Sequence, residues 1–254
     1  MYPLGVPHTV VVDDQVPRVT FDEGKVNGMA APGVDKSMWG PLLEKAAAKM
    51  YGNYEHLVGG AMAMGVRAMI GGAHVYVNNK TLSSDQIWAE LQKHEKTDNI
   101  ITAGTDGFGD HNQQKPSGLS MSHAYTVLGT KLLSDGTKLV KMRNPWGKED
   151  YKDKFSDKSA EWTPARRKEV GDYKKANDGV FYMPIDIYKR DFEETQVNID
   201  PTDMHSAYFL RLNDDGTGSS ACTVNTKSKA CRKHVVTVTS TVAQKLYITA
   251  HTWD

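Results

Sequence analysis

The residues of this 254-residue sequence with the clearest chemical reach are an imidazole and a carboxamide, His123 and Asn144, at the open ends of a hairpin pattern. Residues 123–133 and 138–143 read as strands, and they flank Ser134-Asp135-Gly136-Thr137, where Asp-Gly supplies the positive φ that a tight turn needs. The hairpin returns the chain to the place it left. An imidazole oriented by an amide oxygen is the base half of a thiol-protease triad, in which the imidazolium stabilises a thiolate and later protonates the leaving amine. A simple two-residue turn at Asp135-Gly136 sets Asn144 across from Val127, so contact with His123 requires a bend or bulge. The same residues also fit a plain structural role, a histidine at a strand start and a turn-forming asparagine before Pro145. Spacing alone favours that role.

Around the hairpin the pattern is of consecutive packed units. Val10-Val11-Val12, ending at Asp13-Asp14, reads as a buried strand, and the Gly/Ala/Pro-rich stretch 24–33 as a loop. Trp39, Leu42, Leu43, Ala46 and Met50 share a helical face, with Ser37 as N-cap and Gly52 as stop. The pairs Gly59-Gly60 and Gly71-Gly72 interrupt the pattern and place a boundary near Gly72. A short strand follows at 74–77, then a helix through Ile87, Trp88 and Leu91 opened by a Ser83…Gln86 capping box. Residues 99–102 read as a strand and 106–117 as a long exposed loop, the kind that in compact domains carries function. After a Trp- and Asp-rich loop and a basic helical segment near Arg166, the strand 180–183 runs into Pro184 and a helix carrying Ile187, Tyr188 and Phe192. A polar linker, Glu193 to Asp203, precedes a tail whose segments 208–212, 234–239 and 245–252 alternate as antiparallel strands do.

Composition excludes several classes. Thirty-one Lys and Arg balance thirty-one Asp and Glu, so no global field draws the chain onto nucleic acid or an anionic membrane. The opening residues lack a secretory pattern and no stretch is apolar enough to span a bilayer, which reads as a cytoplasmic chain without a transmembrane segment. Two cysteines, Cys222 and Cys231, are too sparse for a disulfide framework. Gly104, Gly107 and Gly109 lack dinucleotide-loop spacing, and His94-Glu95 lacks the second histidine of a helical zinc motif.

The wording around the candidate pair resembles the calpain family of papain-like cysteine proteases. Gly118-Leu-Ser-Met-Ser-His123-Ala-Tyr-Thr-Val127 is similar to that family's histidine motif, and Arg143-Asn144-Pro145-Trp146-Gly147 to its asparagine motif. Val11-Val12-Asp13-Asp14, Leu42 to Ala46, Tyr54-Glu55, Gly59-Gly60, Ser156-Asp157, Glu161-Trp162 and Asp178-Gly179 follow in the family's order with similar gaps. The resemblance implies an α+β fold: a papain-like second lobe of antiparallel strands with helices, followed by the first strands of a C2-like β-sandwich. On it, residues 1–72 end the first, nucleophile-side subdomain, 73–192 form the second subdomain, 193–204 link, and 205–254 begin the sandwich.

Carried over position by position, the resemblance makes His123 the general base and acid, Asn144 the residue that holds its tautomer, and Trp146 a shield over their hydrogen bond. Trp146 reads equally well as an ordinary core aromatic. Gly71, Gly72 and Ser122 fall at the substrate cleft, Ser122 standing where the family commonly has glycine. The family's nucleophilic cysteine and the glutamine ahead of it belong upstream of everything in this sequence. Cys222 and Cys231 come after the asparagine with no helix behind them to lower a thiol pKa, so both read as ordinary thiols. Asp150, Asp157 and Asp178 match calcium-ligating positions of the family, and carboxylates are the hard oxygen donors that ion prefers. Val180 stands where calcium-responsive members carry an acid.

The expectation is therefore a calpain-type, cysteine-type endopeptidase core supplying His123 and Asn144, inactive as written for want of its nucleophile. Its partners would be a polypeptide substrate and a nucleophile-bearing lobe, with calcium as the possible cofactor. Two alternatives stay open: a pseudoprotease that binds a polypeptide or calcium without cutting, and a membrane or partner adaptor working through the C2-like tail.

Overall fold

A computed structural model describes residues 1–2, 7–17, 19–20, 26–27, 30–33, 35–57, 59–107 and 113–203. Its elements in chain order are β1 (Val19–Thr20), β2 (Val26–Asn27), α1 (Trp39–Tyr51), α2 (Met62–Ile70), β3 (His74–Asn78), α3 (Ser84–Glu95) and β4 (Ile100–Thr105). They continue with β5 (Ala124–Leu132), β6 (Lys138–Arg143), α4 (Pro164–Val170), β7 (Val180–Pro184), α5 (Ile185–Asp191) and β8 (Phe192–Asn198). The architecture is mixed α+β. Six strands form one sheet in the order β3-β8-β4-β5-β6-β7, every neighbouring pair antiparallel.

Period-two alternation gives the sheet two buried faces. Val140 and Met142 of β6, with Phe181 and Met183 of β7, join a core completed by Ile87, Trp88 and Leu91 of α3 and Ile185, Ile187 and Tyr188 of α5. Leu139 and Tyr182 point the other way, into a second cluster with Phe155, Trp162 and Val170 of α4. Helix α3 opens as its sequence dictates: Ser83 Oγ accepts from the Gln86 N–H and Gln86 Oε1 accepts from the Ser83 N–H.

Several expectations change. Residues 193–198, expected as linker, form most of β8, a central strand between β3 and β4. Their polarity is misleading because it is satisfied inside: Gln196 Oε1 accepts from the Ala63 N–H, Thr195 Oγ1 pairs with the Tyr188 hydroxyl, and Asn198 Nδ2 donates to the Ile100 carbonyl. Phe192 begins this strand rather than extending α5. Residues 10–12 form no strand; Val11 is 73% exposed and its carbonyl accepts from Lys49 Nζ. Met38, not Ser37, is the N-cap of α1, without a side-chain hydrogen bond, and Trp39 is 71% exposed rather than core. Helix α2 lies between the two glycine pairs, where the sequence showed only interruptions. The C2-like reading of 205–254, and both cysteines, lie outside the described residues.

Candidate active site

The hairpin β5–β6 delivers the two candidate side chains through two register changes. Its loop has three residues rather than two: the Leu133 N–H donates to the Thr137 carbonyl, the Gly136 N–H donates to the Leu133 carbonyl, and Gly136 takes a φ of 86°. Leu132 therefore faces Lys138, and Asn144 moves one place from the tight-turn expectation. A bulge between Val127 and Gly129 moves it one more, so that Arg143 faces Thr126 and the next position faces Tyr125. That is the required bend, and His123 Nε2 lies 3.0 Å from Asn144 Oδ1.

Both backbones are pinned. The His123 N–H donates to Thr105 Oγ1 at 3.0 Å, and the His123 carbonyl accepts from the Thr105 N–H at 3.0 Å, so the end of β4 locks the histidine in place. Across the hairpin, Asn144-Pro145-Trp146-Gly147 closes a turn through the Gly147 N–H to the Asn144 carbonyl at 3.0 Å. Proline suits the second position of such a turn, and the Asn144 side chain accepts from the Trp146 N–H at 3.1 Å as an Asx-turn does. The Asn144 N–H donates to the Gly179 carbonyl at 2.8 Å. A Cβ on Gly179, whose φ is 83°, would stand 2.8 Å from the Asn144 carbonyl oxygen, so the Asp178-Gly179 step needs its glycine for this close approach.

The tautomer of His123 follows from these partners. The Trp146 N–H can only donate and the Asp150 carboxylate can only accept, so the amide atom 3.1 Å from the former is oxygen and the one 3.1 Å from Asp150 Oδ2 is nitrogen. An oxygen facing Nε2 accepts its proton. The neutral ring is thus Nε2–H, with its basic lone pair on Nδ1. The turn-forming and imidazole-orienting roles of Asn144 are one role, performed by one oxygen.

Aromatic rings enclose the pair. Trp146 stacks on the imidazole at 3.9 Å between centroids and 29°, and Tyr125 meets it edge-on at 4.8 Å and 78°. Asn144 is wholly buried whereas Trp146 stays 43% exposed, so the indole stacks on the imidazole at the surface rather than lying in the core. Removal of Asn144 from water strengthens its hydrogen bond to the imidazole. Burial pushes the Tyr125 phenol up to about 12, and its oxygen accepts from the Ser120 N–H. Ser122 holds a φ of 47°, a left-handed conformation that favours glycine, while its hydroxyl donates to the Gly107 carbonyl at 2.7 Å.

Gly71 caps α2 with a φ of 78°, and a Cβ on Gly72 would fall 1.9 Å from the Ile199 carbonyl oxygen, so both serve the passage from α2 into edge strand β3. The three aspartates do not form a calcium shell. Asp150 accepts from Asn144, Asp157 Oδ2 from the Ala176 N–H and Asp178 Oδ1 from the Val180 N–H, and the Val180 side chain has no oxygen to offer. Among the described residues no three His, Cys, Asp or Glu side chains converge as metal ligands. Asp157 does belong to an acidic patch with Glu149 and Asp178. Burial and, after it, the charge of Asp178 raise the Asp157 carboxyl, and burial with the charges of Asp157 and Asp178 raises Glu149. Sequence reasoning missed the Thr105 anchor, the Tyr125 edge contact and the Asp150–Asn144 bond, because each depends on pairings that no spacing rule contains.

No helix among the described residues is long and apolar enough to cross a membrane. The chain is 31% identical over 195 residues to Calpain-type cysteine protease ADL1 of Oryza sativa subsp. japonica, a span covering 74% of this chain and 9% of that protein. It is 30% identical over 210 residues to Calpain clp-1 of Caenorhabditis elegans, covering 79% of this chain and 26% of that one. With Calpain-9 of Homo sapiens it shares 30% over 201 residues, 76% of this chain and 28% of that one. It thus spans between about a tenth and somewhat over a quarter of these relatives' lengths. The calpain family cysteine protease profile matches residues 1–198, strand β8 included, and on that match the chain belongs to the calpain family of cysteine proteases.

Proposed function

We propose that this chain supplies the proton-transfer half of a cysteine-type endopeptidase. His123 is its general base and acid, Asn144 its orienting amide and Trp146 its roof. The observation that carries the reading is the 3.0 Å contact of His123 Nε2 with Asn144 Oδ1 beneath the stacked indole. With Nε2–H committed to Asn144, proton transfer falls to Nδ1. That nitrogen takes the proton of a thiol placed beside it, and the imidazolium so formed stabilises the thiolate. After the thiolate attacks a peptide carbonyl, the same proton passes to the departing amine, leaving a thioester for water to cleave.

The thiol comes from outside the residues that form this site. The substrate is a polypeptide. The purified chain alone is expected to show no thiol-dependent peptidase activity. Mixed with the nucleophile-bearing lobe of a calpain-type relative, it should hydrolyse an unfolded protein in a reaction blocked by thiol alkylation and abolished by His123→Ala. An inactive mixture of two folded components, or cleavage by the chain alone that survives His123→Ala, would overturn the proposal.

A further inference from the structure

We infer that Asp150 is a positioning residue for this site: its carboxylate, by accepting from Asn144 Nδ2, decides which end of the carboxamide faces the imidazole and thereby which ring nitrogen carries the proton. The inference rests on the reading of His123 as the proton-transfer group, and its test needs no proteolysis.

The two ends of a carboxamide are nearly equal in size, so packing alone cannot tell a side chain from its flipped form. Hydrogen-bond partners make the distinction. In the flipped form Nδ2 would face both His123 Nε2–H and the Trp146 N–H, donor against donors, and the oxygen would face the Asp150 carboxylate, acceptor against acceptor. The observed form satisfies all three contacts, at 3.0, 3.1 and 3.1 Å. Of these, the bond to Asp150 alone involves an ionised acceptor, and such bonds are roughly twice as strong as neutral ones. Asn144 is 0% exposed, so its three contacts are made to the chain rather than to bulk water.

Asp150 is itself held in place. The Glu149 N–H donates to Asn177 Oδ1 at 2.8 Å, the Lys152 N–H to the Ser117 carbonyl at 2.7 Å, and the buried Tyr151 hydroxyl to the Lys154 carbonyl at 2.7 Å. Gly118 lies so close to the Asp150 backbone that a Cβ there would come within 2.2 Å of its carbonyl oxygen. A carboxylate on a clamped stretch of backbone therefore faces a buried amide that faces the imidazole. The position at which the resemblance implied a metal ligand acts instead through the asparagine.

The test is long-range ¹H–¹⁵N correlation of the His123 ring in the full chain, at a pH where the ring is neutral. The unaltered chain should show the Nε2–H tautomer. In Asp150→Ala the share of the Nδ1–H tautomer should rise about tenfold, the factor set by losing one hydrogen bond to an ionised group. Asp150→Asn keeps the shape and a weaker acceptor, so it should produce a smaller rise and provides the readout should the alanine variant not fold. Asp150→Glu should restore the original ring. Unchanged ring nitrogens in whichever of the alanine and asparagine variants folds would overturn the inference, as would an Nδ1–H ring in the unaltered chain. A shifted ring beside an inactive two-lobe mixture would sink the proposed function and leave Asp150 its role. Full activity with an unmoved ring in folded Asp150→Ala would do the reverse.

Discussion

Replacing Asn144 by alanine removes the centre of the site and should cost far more than an ordinary polar truncation. The side chain is 0% exposed and makes three hydrogen bonds, to His123 Nε2, the Trp146 N–H and Asp150 Oδ2. Each neutral bond contributes about 1 kcal/mol net and the one to the carboxylate about 1.5 kcal/mol, so the loss is about 3.5 kcal/mol. With a urea m-value of about 2 kcal/mol/M, the unfolding midpoint should fall by about 1.8 M. Asn144→Asp separates the components. Its carboxylate still accepts from His123 and Trp146 but meets Asp150 where an amide donor stood, and two carboxylates at that separation cannot both stay ionised cheaply. Its deficit should be largest at neutral pH and shrink as the pH falls into the carboxylate range, whereas the alanine deficit, which contains no carboxylate repulsion, should change far less. Equilibrium urea unfolding across pH measures both. A deficit below about 1 kcal/mol for the alanine variant, or an aspartate deficit that ignores pH, would refute the claim that the three bonds are made and are mutually dependent.

Three further outcomes follow from the same geometry. Ser122 spends about 1–2 kcal/mol of backbone strain at φ 47° and recovers about 1 kcal/mol through its bond to the Gly107 carbonyl. By urea unfolding, Ser122→Gly should therefore lie within about 1 kcal/mol of the parent and above Ser122→Ala by at least that much; equal stabilities would sink the argument. Gly179→Ala places a Cβ 2.8 Å from the Asn144 carbonyl at a φ of 83° and should cost about 2 kcal/mol or more while weakening the His123–Trp146 nuclear Overhauser contact; a silent substitution would show the close approach to be absent. Glu149 has a raised folded pKa, so the folded state binds more protons than the unfolded one between the ordinary carboxylate value and the raised one, and stability falls as pH rises through that window. Glu149→Gln keeps an oxygen for the Asp157 N–H and should flatten that slope in chemical unfolding, gaining most at neutral pH; an unaltered slope would assign the pH dependence elsewhere.

What could be read in advance depended on how local the determinant was. The α3 capping box, the turn at Asp135-Gly136 and the strand from Val180 are written within a few residues: the box formed as expected, the turn formed at its place with three loop residues rather than two, and the strand ran one residue beyond Met183, to Pro184, which caps α5. Strand β8 escaped because Glu-Glu-Thr-Gln-Val-Asn reads as a solvated connection. Its burial depends on Ala63, Tyr188 and Ile100, partners that only the tertiary fold supplies. Residues 10–12 failed in the opposite sense: an apolar run is no strand unless another strand pairs with it. Within the site, the need for a bulge was legible from counting alone, but its place at Leu128 was not. Asp150 was visible only as a carboxylate, whose partner a linear pattern cannot name.

The placement of His123 and Asn144 has a consequence for how the candidate site forms. His123 and Asn144 are joined by one hairpin, and the oxygen that orients the imidazole is the same one that accepts the Trp146 N–H to build the turn behind β6. Orientation of the ring is thus a by-product of closing a turn that the backbone needs anyway, with Gly179 admitting the Asn144 carbonyl and Thr105 anchoring the histidine from β4. None of these contacts requires a nucleophile. The imidazole is oriented by the fold itself, so the free energy of ordering it belongs to folding of the sheet, which is the condition the proposed proton-transfer role needs of a preorganised group.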